Sequence, residues 1–352
     1  MAMSLDADEL RALRLANQHL SAPRLEDPTQ LIAHMGAVQA QDYPAATWAL
    51  ALRLRNASAA ARLQQAFAEG KFLRTHVLRP TWHFVAPADI RWMLALSGPR
   101  VKATTRHYAG AIGLDEQVFT RATAVIARAL ESGQSRTRAE IGDVLREAGF
   151  GVDGPRVSHI LGWAELEGVV TSGPPRGRQQ TYALLEERVP PAPVLDRDEA
   201  LAELTWRYFN SHGPALIQDC GWWSGLTLAD VRRGLELNRD RLLAIPVNGD
   251  TYWSGPGVCA AMETSVHLLP NYDEYTVAYR ARDLYYDALL GRTGNEREDV
   301  PFRDVIVACG RVVGRWTRAT GKTEWWIEPS RAMRRDLERE VARYAAFVSA
   351  VA

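Results

Sequence analysis

Three times along this chain, short helices with clear start signals give way to a pair of short strand-like runs. That recurrence limits the fold more than any other feature. In the first pass, Ser4 to Leu20 reads as a helix, with Leu10, Leu13 and Leu20 among its apolar positions. Asp27 is an N-cap and Pro28 a first helical residue, with Leu31, Ile32, Met35 and Val38 following at helical spacing. Helices over Ala45 to Leu54 and Ser58 to Glu69 come next, the second closed by Gly70. The β-branched and aromatic stretch from Phe72 to Val85 then divides at Arg79-Pro80 into two strands. In the second pass, Thr137 with Glu140 forms a capping box opening a helix to about Ala148. Asp153 and Pro155 open another to about Gly168, and runs at Val169 to Thr171 and Thr181 to Leu184 flank a loop rich in Gly, Pro and Arg. The third pass has helices over Asp198 to Phe209 and Pro214 to Trp223, and one opened by Thr227 with Asp230. A hairpin turning at Asn248-Gly249 completes it.

Helices followed by a two-stranded hairpin make a winged-helix pattern. The expected fold is therefore α+β, mostly α, with three tandem winged-helix motifs. The tail differs: Val305 to Ala308, Val312 to Arg318 and Glu324 to Ile327 alternate like strands around Gly310 and Gly321. They predict a C-terminal β-barrel-like region, followed by a terminal helix capped by Ser330. The Pro-rich stretch from Glu186 to Asp196 reads as a linker. The expected division is 1–110, 111–189, 190–257 and 258–352. A chain of 352 residues is long enough for several packed units.

Formal net charge is zero, so any nucleic-acid site must come from local clustering. Cys220, Cys259 and Cys309 are far apart and lack pairing or metal spacing, which fits a reducing compartment. With no signal segment and no long apolar run, the expectation is a cytoplasmic protein with no membrane partner. Abundant Ala and Arg with little Lys point to a GC-rich bacterial genome. No metalloprotease, P-loop, dinucleotide or nucleophile-elbow motif occurs, and no metal or cofactor is expected.

Chemistry concentrates in a few stretches. Gln39 and Gln41, in Val38-Gln39-Ala40-Gln41-Asp42-Tyr43, sit where a helix gives out. In extended or irregular backbone, carboxamides at i and i+2 share a side and converge on one small polar target. Taken alone the pair reads as a solvated polar helix end. Lys71 to His107 is locally basic, carrying Arg74, Arg79, Lys102 and Arg106 with His76 and His83. Basic residues on a hairpin reach phosphates while Trp82 or Phe84 packs beneath. Arg176 and Arg178 mark a small basic loop tip suited to backbone contact, or a loop with no partner. Leu268 to Tyr275 pairs Asp273 with Glu274, a combination more often capping or structural than metal-binding. Cys220-Gly221-Trp222-Trp223 reads as core aromatic packing.

Together these stretches resemble the tandem winged-helix DNA glycosylases related to AlkZ and YcaQ, over nearly the whole chain. The resemblance rests on residues 37–42, on Arg74 to His83, on the second loop-flanked hairpin, on Gly221 to Leu226 and on Leu269 to Tyr275. The glutamine pair falls where that family carries its glutamine–hydrophobic–glutamine motif, here with a small Ala40 in the middle. Gln41, rather than an acid, aligns the chain with the AlkZ-like branch. The resemblance implies hydrolysis of the N-glycosidic bond of N7-alkylated purines, bulky or interstrand-crosslinked adducts included, in repair or self-resistance. Gln39 and Gln41 carry over as catalytic, with Asp42, His76, Thr81 and His83 as supports. Lyase activity is not expected, since no lysine stands beside the glutamines. The expected partner is double-stranded DNA bearing such purines, at the nucleoid, with a monomer acting and no obligate protein partner. The alternative class is a non-enzymatic winged-helix regulator.

Overall fold

The structure, a computed structural model, describes residues 5–21, 23–55, 59–256, 265–285 and 302–351. Cys259 lies outside them. About half of the chain is helical. It divides into two compact units, residues 65–200 and a discontinuous one made of 1–64 with 201–352.

The discontinuous unit begins with α1 (Ala7–Asn17), opened by a capping box between Asp6 and Glu9. Next come α2 (Pro28–Met35), β1 (Val38–Gln39) and α3 (Tyr43–Arg53). Asp27 caps α2 through the Thr29 amide, as its position before Pro28 predicts. The third helix starts two residues before the expected Ala45, because Asp42 caps it and Pro44 fits its first turn. The fourth helix, α4 (Ala59–Ala68), carries the chain out of this unit and ends before Gly70, whose φ is +75°.

The 65–200 unit holds a hairpin of β2 (Leu73–His76) and β3 (Trp82–Val85), with Thr75 opposite His83. Two helices that the sequence reading did not contain follow: α5 (Ile90–Ala111) and α6 (Glu116–Leu130). Then come β4 (Arg136–Thr137), α7 (Arg138–Glu147), α8 (Arg156–Leu166), β5 (Val170–Ser172), β6 (Thr181–Leu184) and a short α9 (Leu185–Arg188). The strands form a sheet in the order β4-β6-β5. Phe119, Ile126, Leu130, Ile141, Leu145, Ile160, Leu161 and Val170 form one core between the three helices and the sheet. The Thr137–Glu140 capping box forms as its spacing requires.

The chain returns through α10 (Arg197–His212), α11 (Ile217–Ser224) and α12 (Leu228–Leu237) to a hairpin of β7 (Leu243–Val247) and β8 (Asp250–Ser254). Asn248 and Gly249 both take left-handed φ, +51° and +88°, the pair of angles a type I′ turn needs. Ala215 bridges Trp253 as a one-residue strand beside that hairpin.

Four strands follow: β9 (Val266–Leu269), β10 (Val305–Ala308), β11 (Arg311–Thr317) and β12 (Lys322–Trp325), with a one-turn helix α13 (Glu274–Val277) after β9. The β-barrel expectation is corrected here. Among the described residues these strands make an open antiparallel sheet in the order β12-β11-β10-β9, with no closed barrel. Four strands are too few to close on themselves around a filled interior. The C-terminal helix Arg331–Val351 packs on β9 instead, covering the sheet with Tyr344 and Phe347 against Trp48, and Tyr344 against Trp316. No helix among the described residues is long and apolar enough to cross a membrane.

Candidate active site

The placement of the glutamines begins with the end of α2. Gly36 turns the chain there with φ +80°, and a Cβ on it would sit 3.4 Å from the Trp223 ring. A side chain at this position would be strained by the backbone and crowded by the indole. The chain then enters β1 with Val38, Gln39 and Ala40 all buried, and surfaces at Gln41. Gln39 is 6% exposed whereas Gln41 is exposed at the surface. The two carboxamides thus stand on either side of the point where the strand leaves the interior.

The backbone of Gln39 is held by a carboxylate. Its N–H donates to Glu274 Oε1 at 2.6 Å, across 235 residues of sequence. The other oxygen, Oε2, accepts the Trp223 indole N–H at 2.9 Å and lies 3.4 Å from His212 Nε2. Glu274 is 1% exposed. Burial holds His212 below the usual histidine range, with Glu274 pulling the other way, and Tyr208 stacks on its ring at 4.9 Å. Taking a carboxylate out of water is costly unless N–H donors replace the solvent. Here the donors are Trp223 and the backbone of the strand that carries Gln39.

Glu274 is itself fixed by its neighbour. Asp273 caps α13 through the Tyr275 amide and receives both Arg53 nitrogens, at 2.7 and 2.8 Å. Arg53 also donates to Gln18 at 2.9 Å. The Asp-Glu pair therefore has two jobs: one carboxylate ties the loop to the scaffold, the other ties the loop to β1. Capping by Asp273 agrees with the structural reading of the pair, while the reach of Glu274 to Gln39 was not legible in the sequence.

Asp42 is occupied on both oxygens. Its Oδ1 accepts the Ala45 amide at 3.1 Å as the N-cap of α3, and its Oδ2 accepts Arg318 at 2.6 Å. Arg318 also donates to Asn271 Oδ1 at 3.0 Å and sits 2.9 Å from Asp304. Burial pushes the Asp42 carboxyl up, but the bonds from Arg318 and the Ala45 amide outweigh it and hold it below the usual carboxylate range.

The remaining candidates belong to the 65–200 unit. His76 pairs with the buried Glu165 and packs on Trp82 at 4.4 Å, while the Arg74 guanidinium lies over the Trp82 ring, 4.4 Å from its centroid. His76, Trp82, Phe119, His159 and Trp163 line a cavity of about 190 Å³. His83 is fully buried, its Nδ1 3.0 Å from the Thr81 carbonyl, which is the setting of a core histidine. The Thr81 hydroxyl is buried without a hydrogen-bond partner among the described residues. Arg79 lies half-buried at the hairpin turn. Lys102 pairs with Glu167 at 2.6 Å and Arg106 approaches Glu116 at 3.7 Å. Arg176 grips Glu140, the third residue of α7, and Arg178 stands exposed in the loop beyond it.

A protein-family model described as DNA glycosylase AlkZ-like matches residues 32–347, a span containing β1, the Glu274 loop and the open sheet. The chain belongs to the AlkZ-like DNA glycosylase family. Among solved structures, the DNA glycosylase AlkZ of Streptomyces sahachiroi superimposes with a TM-score of 0.76 at 21% identity, covering 99% of this chain and 98% of that one. At that identity the likeness speaks for the fold. No curated protein matches. The contacts that Glu274, Trp223, Arg318 and Asn271 make around the glutamines are what sequence reasoning missed. The one available signal was that Trp223, Asn271 and Glu274 all lay within stretches carrying the family resemblance.

Proposed function

We propose that the chain is a monofunctional glycosylase that hydrolyses the N-glycosidic bond of N7-alkylated purines in double-stranded DNA, with Gln39 and Gln41 as its catalytic residues. The observation that carries this reading is the clamp on Gln39: a carboxamide is placed by a strand whose amide is held at 2.6 Å by a buried carboxylate. An N7-alkylguanine is already cationic, so it leaves as a neutral base without a strong general acid. What remains is to stabilise an oxocarbenium-like sugar and to position a water. Glutamine carbonyl dipoles held in place serve both needs, and a rigid mount spares the cost of orienting them during the reaction. Asp42 is a poorer candidate for water activation, because capping and the Arg318 pair already engage both its oxygens. The absence of lyase chemistry is supported by the chain's three lysines, Lys71, Lys102 and Lys322, none of which neighbours the glutamines in sequence.

Winged-helix motifs fit the same reading. Helix, strand, helix, helix, strand, loop, strand is the order from α6 to β6, and it recurs from α10 to β8 with Ala215 as the first strand. The exposed Arg178 loop is suited to phosphate contact. Bulky and crosslinked adducts are the natural extension of the substrate range.

The test is release of N7-methylguanine from a methylated duplex by the wild type and by a Gln39→Ala/Gln41→Ala variant. Release by the wild type alone, with duplex binding retained by the variant, is the expected result. Equal release by both proteins removes the glutamines from the mechanism. Binding without release on methylated and crosslinked duplexes alike leaves a non-enzymatic DNA binder.

A further inference from the structure

Tyr272 takes a backbone conformation that few residues other than glycine adopt. Its φ is +61°. For a bulky aromatic side chain that is a genuine outlier, and such strain persists only where the surroundings over-determine it. The surroundings here do. On one side, the Asn271 amide donates to Asp304 Oδ1 at 2.9 Å and its side-chain oxygen accepts Arg318 at 3.0 Å. On the other, Asp273 is gripped by Arg53 and caps α13. The chain is clamped before and after Tyr272, whose side chain is partly exposed. A glycine would satisfy this backbone without strain. The chain carries a tyrosine instead.

The Tyr272 ring meets Phe302 edge-to-face, with centroids 5.6 Å apart and planes at 84°. Phe302 is 59% exposed, among the largest exposures of any aromatic residue described. Among the described residues the Tyr272 hydroxyl makes no hydrogen bond, and the aromatic contact of its ring is with Phe302. The loop that carries Tyr272 is tied to the end of the glutamine segment: Arg318 bonds both Asn271, next to Tyr272, and Asp42, next to Gln41.

We propose that Tyr272, backed by Phe302, is a stacking platform for a nucleobase at the edge of the catalytic site. This inference rests on the glycosylase reading above. A partly exposed planar apolar surface beside a base-excising site suits the flat face of a base, and stacking of this kind tolerates any base identity. Extruding or exposing a damaged purine costs unstacking, and an aromatic surface next to the reaction returns part of that cost to whichever base is left without its neighbour. The strained backbone keeps the ring presented before DNA arrives, so little ordering is left for binding to do.

The test compares wild type with Tyr272→Gly, Tyr272→Leu and Tyr272→Phe. Each is titrated against a labelled duplex carrying N7-methylguanine with 2-aminopurine beside it, and each is melted alone. Tyr272→Phe is expected to match wild type in affinity and in the emission change of 2-aminopurine. Tyr272→Gly and Tyr272→Leu are expected to bind the lesion duplex about tenfold more weakly and to lose that emission change. Tyr272→Gly is expected to melt no lower than wild type, because glycine relieves the backbone strain. Lesion affinity within twofold of wild type for the glycine and leucine variants overturns the platform, and so does failure of the glycine variant to fold. The titration reads stacking whether or not base is released. A wild type that shows tyrosine-dependent binding without releasing base keeps the platform and defeats the glycosylase reading; one that releases base without tyrosine dependence does the reverse.

Discussion

Replacing Glu274 by glutamine tests how much of the site's reactivity is stored in the mount rather than in Gln39 itself. The two side chains are nearly isosteric. The carboxylate accepts two N–H donors, from Gln39 at 2.6 Å and from Trp223 at 2.9 Å. A carboxamide has one accepting oxygen, so its NH₂ must face one of the two donors, and that buried donor loses its partner. Losing a hydrogen bond to a charged group costs about 1.5–3 kcal/mol. The melting temperature of Glu274→Gln is therefore expected to fall by several degrees. The rate has a second contribution. For a carboxylate about 7 Å from a developing sugar cation, at an effective dielectric of about 20, Coulomb's law gives a stabilisation of about 2 kcal/mol. That corresponds to about 30-fold in kcat. The assay is single-turnover release of N7-methylguanine at a temperature where both proteins are folded. Glu274→Asp, which keeps the charge on a shorter arm, is expected to retain more activity than Glu274→Gln. A Glu274→Gln enzyme within twofold of wild type refutes both the mount and the electrostatic contribution.

Other perturbations separate scaffold from chemistry. Asp42→Asn keeps a capping oxygen but loses the charge facing Arg318. It is expected to lower stability by about 1–2 kcal/mol and to leave base release within threefold. A hundredfold loss of release makes Asp42 the base. The kcat profile is expected to be flat from about pH 6 to 9, because glutamines do not titrate and Asp42 is held low. A bell centred near neutrality assigns the chemistry to an ionising group instead. Burial pushes His267 in β9 down to about 4. An unfolded histidine titrates near 6.5, so the folded state binds the proton less readily. Stability is then full above about pH 6.5 and falls as pH drops toward 4, by up to about 3 kcal/mol. His267→Asn is expected to flatten that acid limb in melting curves, and an unchanged slope refutes the assignment. Arg176→Ala is expected to leave DNA affinity nearly unchanged, since Glu140 already occupies that guanidinium. Arg178→Ala is expected to reduce the slope of log affinity against log salt by about one, and a larger effect at Arg176 reverses the order.

What the sequence discloses here is local chemistry. Asp27-Pro28, Thr137 with Glu140 and Asn248-Gly249 each place their own caps and turns, because the groups they satisfy lie within four residues. Helix α5 hides its signal: Gly98-Pro99 sits in its interior, where propensity argues for a break, and packing overrides it. Strand β9 is four buried residues, too short for periodicity to separate strand from helix. Of the three strands after it, β10 and β11 were legible and β12 lies two residues before the expected Glu324 to Ile327, but whether they close depends on pairing partners that spacing does not encode. At the site, the glutamines could be singled out from their position at a helix end, whereas Glu274 acquires its meaning only from a bond spanning 235 residues. A carboxylate next to an N-cap aspartate looks like more capping until its long-range partner is known.

The interrupted unit sets the order of events at the ribosome. Residues 1–64 emerge first, yet the part of their own unit that completes them, residues 201–352, is synthesised last. The 65–200 segment has its own core and is complete long before that. Domains fold as units during synthesis, and contacts between distant segments wait for the chain to close a long loop. The Glu274 and Trp223 groups that hold the Gln39 amide therefore join it late in translation. A chain ending before that loop carries both glutamines without the Glu274 carboxylate and the Trp223 indole that hold the Gln39 backbone in the folded protein.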